Sequence, residues 1–281
     1  MKHRYDTRIY KALIHHSKSP HAWATTITVF VVAASVLTIV SLGVRSVTLS
    51  HLWEHSVFFL FPTSERAYAY GSRHLDTKNY YDYDLDRAEF FLQESLRLNP
   101  LQHYAHHQLG RIEFLRGNLT GAIAHLDIEI QRYQLKSASS YYVRGLVKGY
   151  QDDFKSSAED YEVYLRSDPY NWAALNDYAW VLLKSGRSDE ALVSLDWGLM
   201  REPSNPWLLN SKAVALFDLK EYEKAMEASA SALRSVTNVT EADWIRAYPG
   251  NDPLIAGEGV QSLRQAIKAN MHRIRDAELA R

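Results

Sequence analysis

The stretch "NDYAWVLLKSGRSDEALVSLDWGLMREP", residues 176–203, decides the fold of this chain. Its apolar residues recur three or four positions apart on both sides of "KSGR", which is typical of two amphipathic helices joined by a turn at Gly186. Pro203 ends the second helix because it has no amide hydrogen to continue the hydrogen-bond ladder. The stretch therefore predicts a helical hairpin and not an active site.

The same hairpin repeats along the chain. A small residue recurs at intervals of 34, 35, 34 and 34 positions, and a large aliphatic residue keeps the same intervals. The small residues are Ala88, Ala122, Ser157, Ala191 and Ala225, and the large ones are Leu96, Ile130, Leu165, Leu199 and Leu233. A repeat of this length indicates a solenoid in which each hairpin packs on the next. We expect the small residues at the closest helix crossings.

These motifs resemble the tetratricopeptide repeat. "HQLGRIEFLRGNLTGAIAHL" (107–126) matches the family consensus through Leu109, Gly110, Gly117, Leu119, Ala122 and Leu126, and "LKEYEKAMEASASAL" (219–233) repeats its second half. The resemblance implies an all-α solenoid of about five hairpins over residues 64–236. The first unit carries an insertion between Gly71 and Ala88, which we place in its turn because added loop length costs little there.

The sequence after the repeats predicts a loop (237–256), with at most a short helix near Trp244, and a C-terminal amphipathic helix (257–281). Apolar residues form one stripe along that helix, at Val260, Leu263, Ile267, Met271 and Ile274. A terminal repeat needs a cover for its exposed core, so we interpret this helix as a cap. A partner-binding or dimerising helix is the alternative.

A membrane anchor is predicted near the N-terminus. Residues 22–44 contain no charged side chain, and a helix of this length spans about 34 Å, enough for a hydrocarbon core of about 30 Å. We interpret the segment as an uncleaved signal anchor, with a cleaved signal peptide and a buried core helix as the alternatives. Residues 45–63 then form an interfacial segment, with Trp53 at headgroup level.

The charges beside this segment predict its orientation. Five basic residues precede it in the leader (1–21), namely Lys2, Arg4, Arg8, Lys11 and Lys18, whereas Arg45 is the only one between it and Arg66. The positive-inside rule places the N-terminus in the cytoplasm and the repeats outside it, in a periplasmic, cell-surface or lumenal space. Residues 62–281 hold 26 Lys/Arg against 31 Asp/Glu, a charge of −5 that argues against nucleic-acid binding.

The sequence gives little sign of catalysis. It contains no phosphate-binding loop, dinucleotide fingerprint, HExxH motif or nucleophile elbow, and it has no cysteine. We therefore predict no enzyme activity and no cofactor. His103 lies three positions before His106 and four before His107, and the three are the candidate for a metal site. No carboxylate ligand stands at a matching spacing, however, and histidines are common on helix surfaces.

The resemblance implies that first-helix residues line a concave groove that binds a peptide or protein segment. Carrying the repeat register over gives Tyr104, His107, Arg111, Phe114, Tyr142, Leu146, Asn176, Trp180, Leu183, Lys184, Trp207, Asn210, Val214 and Phe217. Aromatic rings among Asn, Arg and Lys suit an extended peptide, whose backbone needs hydrogen-bonding partners. The alternative for Trp180 and Trp207 is packing between helices.

The Lys/Asn pattern of chaperone-binding members is absent at the matching positions. The sequence thus predicts a membrane-anchored scaffold for protein interactions. The alternatives are a structural membrane protein that self-assembles, for instance through the C-terminal helix, and a metal-binding accessory protein that uses the three histidines.

Overall fold

The computed structural model describes residues 47–76, 82–247 and 256–280, with side chains from residue 51 onward. The regular elements in these ranges are helices, and the chain divides into two compact units, residues 1–62 and 63–281. We number the α-helices in chain order: α1 (Val47–Leu60), α2 (Ser64–His74), α3 (Leu85–Leu98), α4 (Ala105–Leu115), α5 (Leu119–Tyr133), α6 (Ala138–Tyr150), α7 (Phe154–Leu165), α8 (Trp172–Lys184), α9 (Ser188–Arg201), α10 (Pro206–Asp218), α11 (Tyr222–Val236), α12 (Glu241–Ala247) and α13 (Ala256–Leu279).

The first unit contributes helix α1 to the described ranges. Its apolar side chains Leu52, Trp53 and Leu60 are exposed. The predicted membrane span at residues 22–44 lies outside the described residues. Among the helices that the structure describes, none is long and apolar enough to cross a membrane.

The second unit contains the predicted helical repeat. Five hairpins follow one another, formed by α2 and α3, α4 and α5, α6 and α7, α8 and α9, and α10 and α11. In each pair the first and second helices pack on one another, and each second helix also packs on the first helix of the next pair. The prediction of an all-α solenoid is confirmed for this unit.

Small residues lie where the two helices of a hairpin cross. A Cβ atom added to Gly110 on α4 would lie 3.2 Å from the backbone oxygen of Ala122 and 2.8 Å from Cγ of Leu126 on α5. The same test at Gly145 places the added atom 3.2 Å from the backbone oxygen of Ser157 on α7. An added side chain would clash at Gly110 and would fit only tightly at Gly145, so small residues lie at these crossings as the repeat predicts.

The turn inside each of the last four hairpins uses one residue with positive φ. Gly117 (φ 79°) and Gly186 (φ 72°) supply it in two hairpins, and Asp152 (φ 61°) and Lys220 (φ 65°) supply it in the others. These four positions keep the spacing of the repeat. Glycine adopts this conformation without steric penalty, whereas Asp152 and Lys220 adopt it against their intrinsic preference.

Asn and Asp side chains begin several of these helices. Asn171 and Asn205 accept hydrogen bonds from backbone amides in the first turns of α8 and α10, and Asn118 and Asp153 do the same for α5 and α7. Such caps satisfy amides that have no partner within the helix and are each worth about 1 kcal/mol. The starts of these helices are therefore determined by local sequence, through the capping residue of each helix.

The C-terminal helix α13 packs on the last hairpin. This helix lies against α11 and α10, with Val260, Ile267 and Ile274 buried in the contact. Its apolar stripe therefore covers the last hairpin and is not available to join a second copy of the chain. The short helix α12 precedes it, and Trp244 of α12 lies so close to Gly259 of α13 that an added Cβ would meet the indole ring at 2.0 Å.

We predict that Ala191→Trp disrupts the second unit. Ala191 is fully buried between α8 and α9, so an indole there overpacks the crossing and lowers the free energy of unfolding by at least about 3 kcal/mol. Thermal denaturation followed by circular dichroism measures the loss. Ala124→Trp is the matched control, because Ala124 is exposed on α5. Equal melting temperatures for the two variants would contradict the assigned packing.

Candidate peptide-binding groove

Two open cavities of the second unit lie near the starts of successive first helices. The central cavity, of about 700 Å³, is lined by residues of α4, α6, the start of α8 and the end of α12. The C-terminal cavity, of about 920 Å³, extends from the start of α8 and α10 to the end of α11 and to α12. Trp172, Arg246 and Ala247 line both, so the two cavities are adjacent. We call them together the groove.

The central cavity brings together three residues that the sequence predicts for the groove. His107 and Arg111 come from α4, and Tyr142 comes from α6. Nδ1 of His107 lies 3.0 Å from the hydroxyl oxygen of Ser140. The hydroxyl of Tyr142 donates a hydrogen bond of 3.0 Å to the carboxylate of Asp177. These contacts fix the two rings, so this wall is formed before any ligand arrives.

Burial controls the charge of this wall. The pKa of His107 is lowered to about 3 by burial and by the nearby Arg111, so the imidazole is neutral at physiological pH. Burial also lowers the pKa of Arg111, whose guanidinium donates a hydrogen bond of 2.8 Å to Gln108. Arginine stays protonated in proteins, and Arg111 therefore supplies a positive charge to the cavity.

The C-terminal cavity contains the fourth predicted residue, Trp207. Its ring packs against that of Trp172, with centroids 5.3 Å apart and an angle of 34° between the rings. Both are half-buried, and they stand one repeat apart at the starts of α10 and α8. The pair forms a continuous aromatic wall, so packing and ligand contact are compatible roles for Trp207.

Other predicted groove residues pack between hairpins. Phe114 contacts the ring of Tyr150 edge-on at 5.5 Å, and Trp180 lies 6.0 Å from the rings of both Tyr150 and Phe154. Leu146 is buried, and Leu183 packs on the core between α8 and α9. For Trp180 the structure thus shows the packing contact that was the alternative to a ligand platform.

The polar residues predicted to meet a peptide backbone make hydrogen bonds within the protein. Asn176 accepts from Ser211 at 2.8 Å, and Asn210 accepts from Asn270 of α13 at 2.9 Å. The hydroxyl of Tyr104 donates to the backbone oxygen of Lys136 at 3.1 Å. These atoms join neighbouring helices, which leaves less polar surface for a ligand than the sequence suggests.

The last three predicted residues, Lys184, Val214 and Phe217, lie in the C-terminal halves of α8 and α10. The guanidinium of Arg273 on α13 covers the ring of Phe217 at 4.4 Å, so the C-terminal helix occupies this part of the first-helix surface. Val214 is half-buried on α10, and Lys184 is exposed at the end of α8. None of these three lines either cavity.

The three histidines considered for a metal site point to different partners. His103 lies 2.8 Å from the hydroxyl of Ser137, His106 lies 3.0 Å from Nδ1 of His125, and His107 contacts Ser140. In the part of the chain that the structure describes, no group of three or more His, Asp or Glu side chains could hold a metal ion. The metal-binding alternative therefore has no ligand set in this region.

Several groove residues could not be assigned from the repeat register. Trp172 and Asn171 begin α8, and Ile245 and Arg246 come from α12, which lies beyond the repeats. Trp172 and Trp207 are 35 residues apart, one more than the interval of 34 between these two units, so only a search that tolerates a shift of one residue would find the pair. The position of α12 has no such signal, since it depends on contacts far apart in the sequence.

Comparisons with known proteins agree with this fold. Family profiles described as tetratricopeptide repeat match residues 161–193 and 179–253. A crystal structure of MamA covers 62% of this chain and 92% of its own at 18% identity, with a TM-score of 0.53. YrrB, described as a TPR protein with an unusual peptide-binding site, covers 62% of this chain and 86% of its own at 16% identity, with a TM-score of 0.52. No curated protein sequence matches the chain.

Residues 161–253 match the tetratricopeptide repeat profiles, and the likeness to MamA and YrrB extends the same fold over more than half of the chain. At identities below one fifth this likeness concerns the fold, so the groove itself must be argued from its own residues.

We predict that His107 makes the stability of the protein depend on pH. The native imidazole has a pKa of about 3, and the unfolded one has a pKa near 6.5, so below pH 6.5 the unfolded state binds more protons. The free energy of unfolding contributed by this residue is therefore lost as the pH falls from 6.5 towards 3. His107→Gln should reduce the slope of the free energy of unfolding against pH by up to about 1.4 kcal/mol per pH unit. Urea denaturation between pH 6.5 and 4 measures this slope.

Ser140→Ala is the control for this pH dependence. It removes the hydroxyl beside His107 but leaves the imidazole buried, so it should lower stability slightly and keep the slope. If His107→Gln also kept the slope of the unaltered protein, the assignment of the neutral, buried imidazole would be wrong.

Proposed function

We propose that this protein is a membrane-anchored scaffold whose groove binds an extended peptide segment of a protein partner. The observation that carries the proposal is that two adjacent cavities lie near the starts of the first helices of four successive hairpins. A site that passes several hairpins suits a chain in extended conformation, and the description of YrrB as a TPR protein with a peptide-binding site supports the same class of ligand.

The chemistry of the groove favours a segment with apolar side chains and exposed oxygen atoms. Tyr142, Trp172 and Trp207 offer aromatic surface, which is enriched at the energetic centres of protein interfaces. Arg111 and Arg246 offer guanidinium N–H donors on the two sides of the central cavity. Backbone carbonyls or carboxylates of the segment would accept hydrogen bonds from them.

The second half of the proposal is the membrane anchor. Residues 22–44 form an uncharged stretch of the length of a membrane span, and exposed Leu52, Trp53 and Leu60 on α1 give an apolar face suited to the bilayer interface. The excess of Lys and Arg before the stretch favours a cytoplasmic N-terminus. The repeats would then recruit partners outside the cytoplasm, near the membrane surface.

We predict that peptides selected on the full chain from a random display library bind in the groove. Ser139→Trp fills the central cavity and Trp207→Ala removes half of the aromatic wall, so each should raise the dissociation constant of the selected peptides at least about tenfold. Isothermal titration calorimetry measures the change, and circular dichroism verifies that each variant is folded.

The control for peptide binding is Ala124→Trp, which adds the same side chain to the exposed side of a second helix. It should leave the dissociation constant unchanged. Two results would remove the basis of the proposal: a library that yields no binding peptide, or selected peptides that bind both groove variants as tightly as the unaltered chain.

We further predict that the repeats are accessible from outside the cytoplasm. Protease added to intact cells or spheroplasts should cleave the second unit, because the charge bias sends it across the membrane. A cytoplasmic protein in the same sample serves as the control for cell integrity. Protection of the repeats until the membrane is permeabilised would show the opposite orientation and would leave the peptide-binding proposal intact.

A further inference from the structure

Helix α9 exposes an apolar stripe outside the groove. Val193, Trp197 and Met200 follow the i, i+4, i+7 spacing of one helix face, and their side chains are 59%, 46% and 73% exposed. None of the three lines either cavity of the groove. The ring of Tyr170 packs on Trp197 with centroids 5.8 Å apart, and Arg201 lies over Tyr170 at 4.2 Å, so the patch is ordered.

The repeat shows that this stripe belongs to α9 and not to second helices in general. The position of Met200 is occupied by Arg97, Gln131, Arg166 and Arg234 in the other four units. The position of Val193 is occupied by Phe90, Ala124, Glu159 and Glu227. The fold therefore accepts charged side chains at both positions, and packing within the hairpin does not explain the exposed Val193 and Met200. The position of Trp197 is occupied by Glu94, Ile128, Val163 and Ser231.

The charges at the two ends of α9 indicate what covers the stripe. Asp189 lies in the first turn of the helix, and Arg201 is its last residue; both are exposed and border the same face. When two copies of this helix pack antiparallel about a twofold axis between Val193 and Trp197, each Val193 meets the Trp197 of the second copy. The same register places each Asp189 opposite the Arg201 of the second copy. Such a surface is complementary to itself.

We propose that two copies of this protein associate through their α9 helices, with Val193 and Trp197 at the centre of the contact and the Asp189 and Arg201 pairs at its ends. The contact uses second helices, so both grooves stay open in the dimer. The proposal does not rest on the peptide-binding function, because Val193 and the residues of the groove can be altered separately.

The first test measures the oligomeric state of the full chain by sedimentation equilibrium in a mild non-ionic detergent. Val193→Glu introduces a residue that two other repeats carry at this position, so it should preserve the fold and raise the dissociation constant of the dimer at least about tenfold. Ala124→Glu introduces the same residue at the matching position of α5 and should leave the dimer intact. A monomeric unaltered chain, or a Val193→Glu variant that dimerises as the unaltered chain does, would overturn the proposal.

The second test examines the register of the two helices. Asp189→Arg and Arg201→Asp each bring like charges together and should weaken the dimer several-fold, and the double variant should restore it because the charges are exchanged. A heterologous partner or a parallel arrangement predicts no such rescue. A double variant that dimerises no better than the single ones would therefore exclude this register.

Discussion

The close approach of two helix backbones at one pair of small residues is the constraint on which the second unit depends. At Gly110 and Gly145 an added methyl group would meet the carbonyl oxygen of Ala122 or Ser157 at 3.2 Å. Since helices can approach this closely only where both side chains are small, the crossing point fixes the register of each hairpin. Every other side chain then takes its place relative to that point.

This constraint gives the first and second helices of each hairpin different surroundings. Once a hairpin is closed, its first helix faces the neighbouring first helices and its second helix faces outward. The residues that begin the first helices, such as Asn171 and Trp172, therefore collect along one side, and this is where the cavities lie. The outward side of the second helices holds mostly charged residues, which makes the apolar stripe on α9 exceptional.

Much of the fold could be predicted because the deciding interactions are local and repeated. The small residues, the turn residues near Gly117 and Gly186, and the prolines after the second helices all recur at the repeat interval. The groove was harder to predict for a physical reason. A periodic pattern gives the direction of a side chain on its helix, but it does not show whether a neighbouring repeat or the C-terminal helix covers it.

Two residues show this limit clearly. The register places Trp180 and Trp207 on first helices in the same way, yet Trp180 lies between hairpins beside Tyr150, and Trp207 lines a cavity beside Trp172. The difference arises from Gly149, where an added Cβ would lie 2.7 Å from the Trp180 ring, so the missing side chain makes room for the indole. Such pairing between repeats is a tertiary contact, and the period of one helix does not contain it.

Tyr170 connects the two surfaces that we propose for binding. Its ring lines the central cavity and also packs on Trp197 at the centre of the apolar stripe. A ligand that moves Tyr170 would therefore alter the stripe, and association through the stripe would restrict Tyr170. Because coupling between two binding equilibria is reciprocal, any effect of the peptide on dimerisation must equal the effect of dimerisation on peptide affinity. A scaffold with both surfaces would thus present two grooves whose affinity depends on assembly, and the strength of that dependence is set by how far Tyr170 moves.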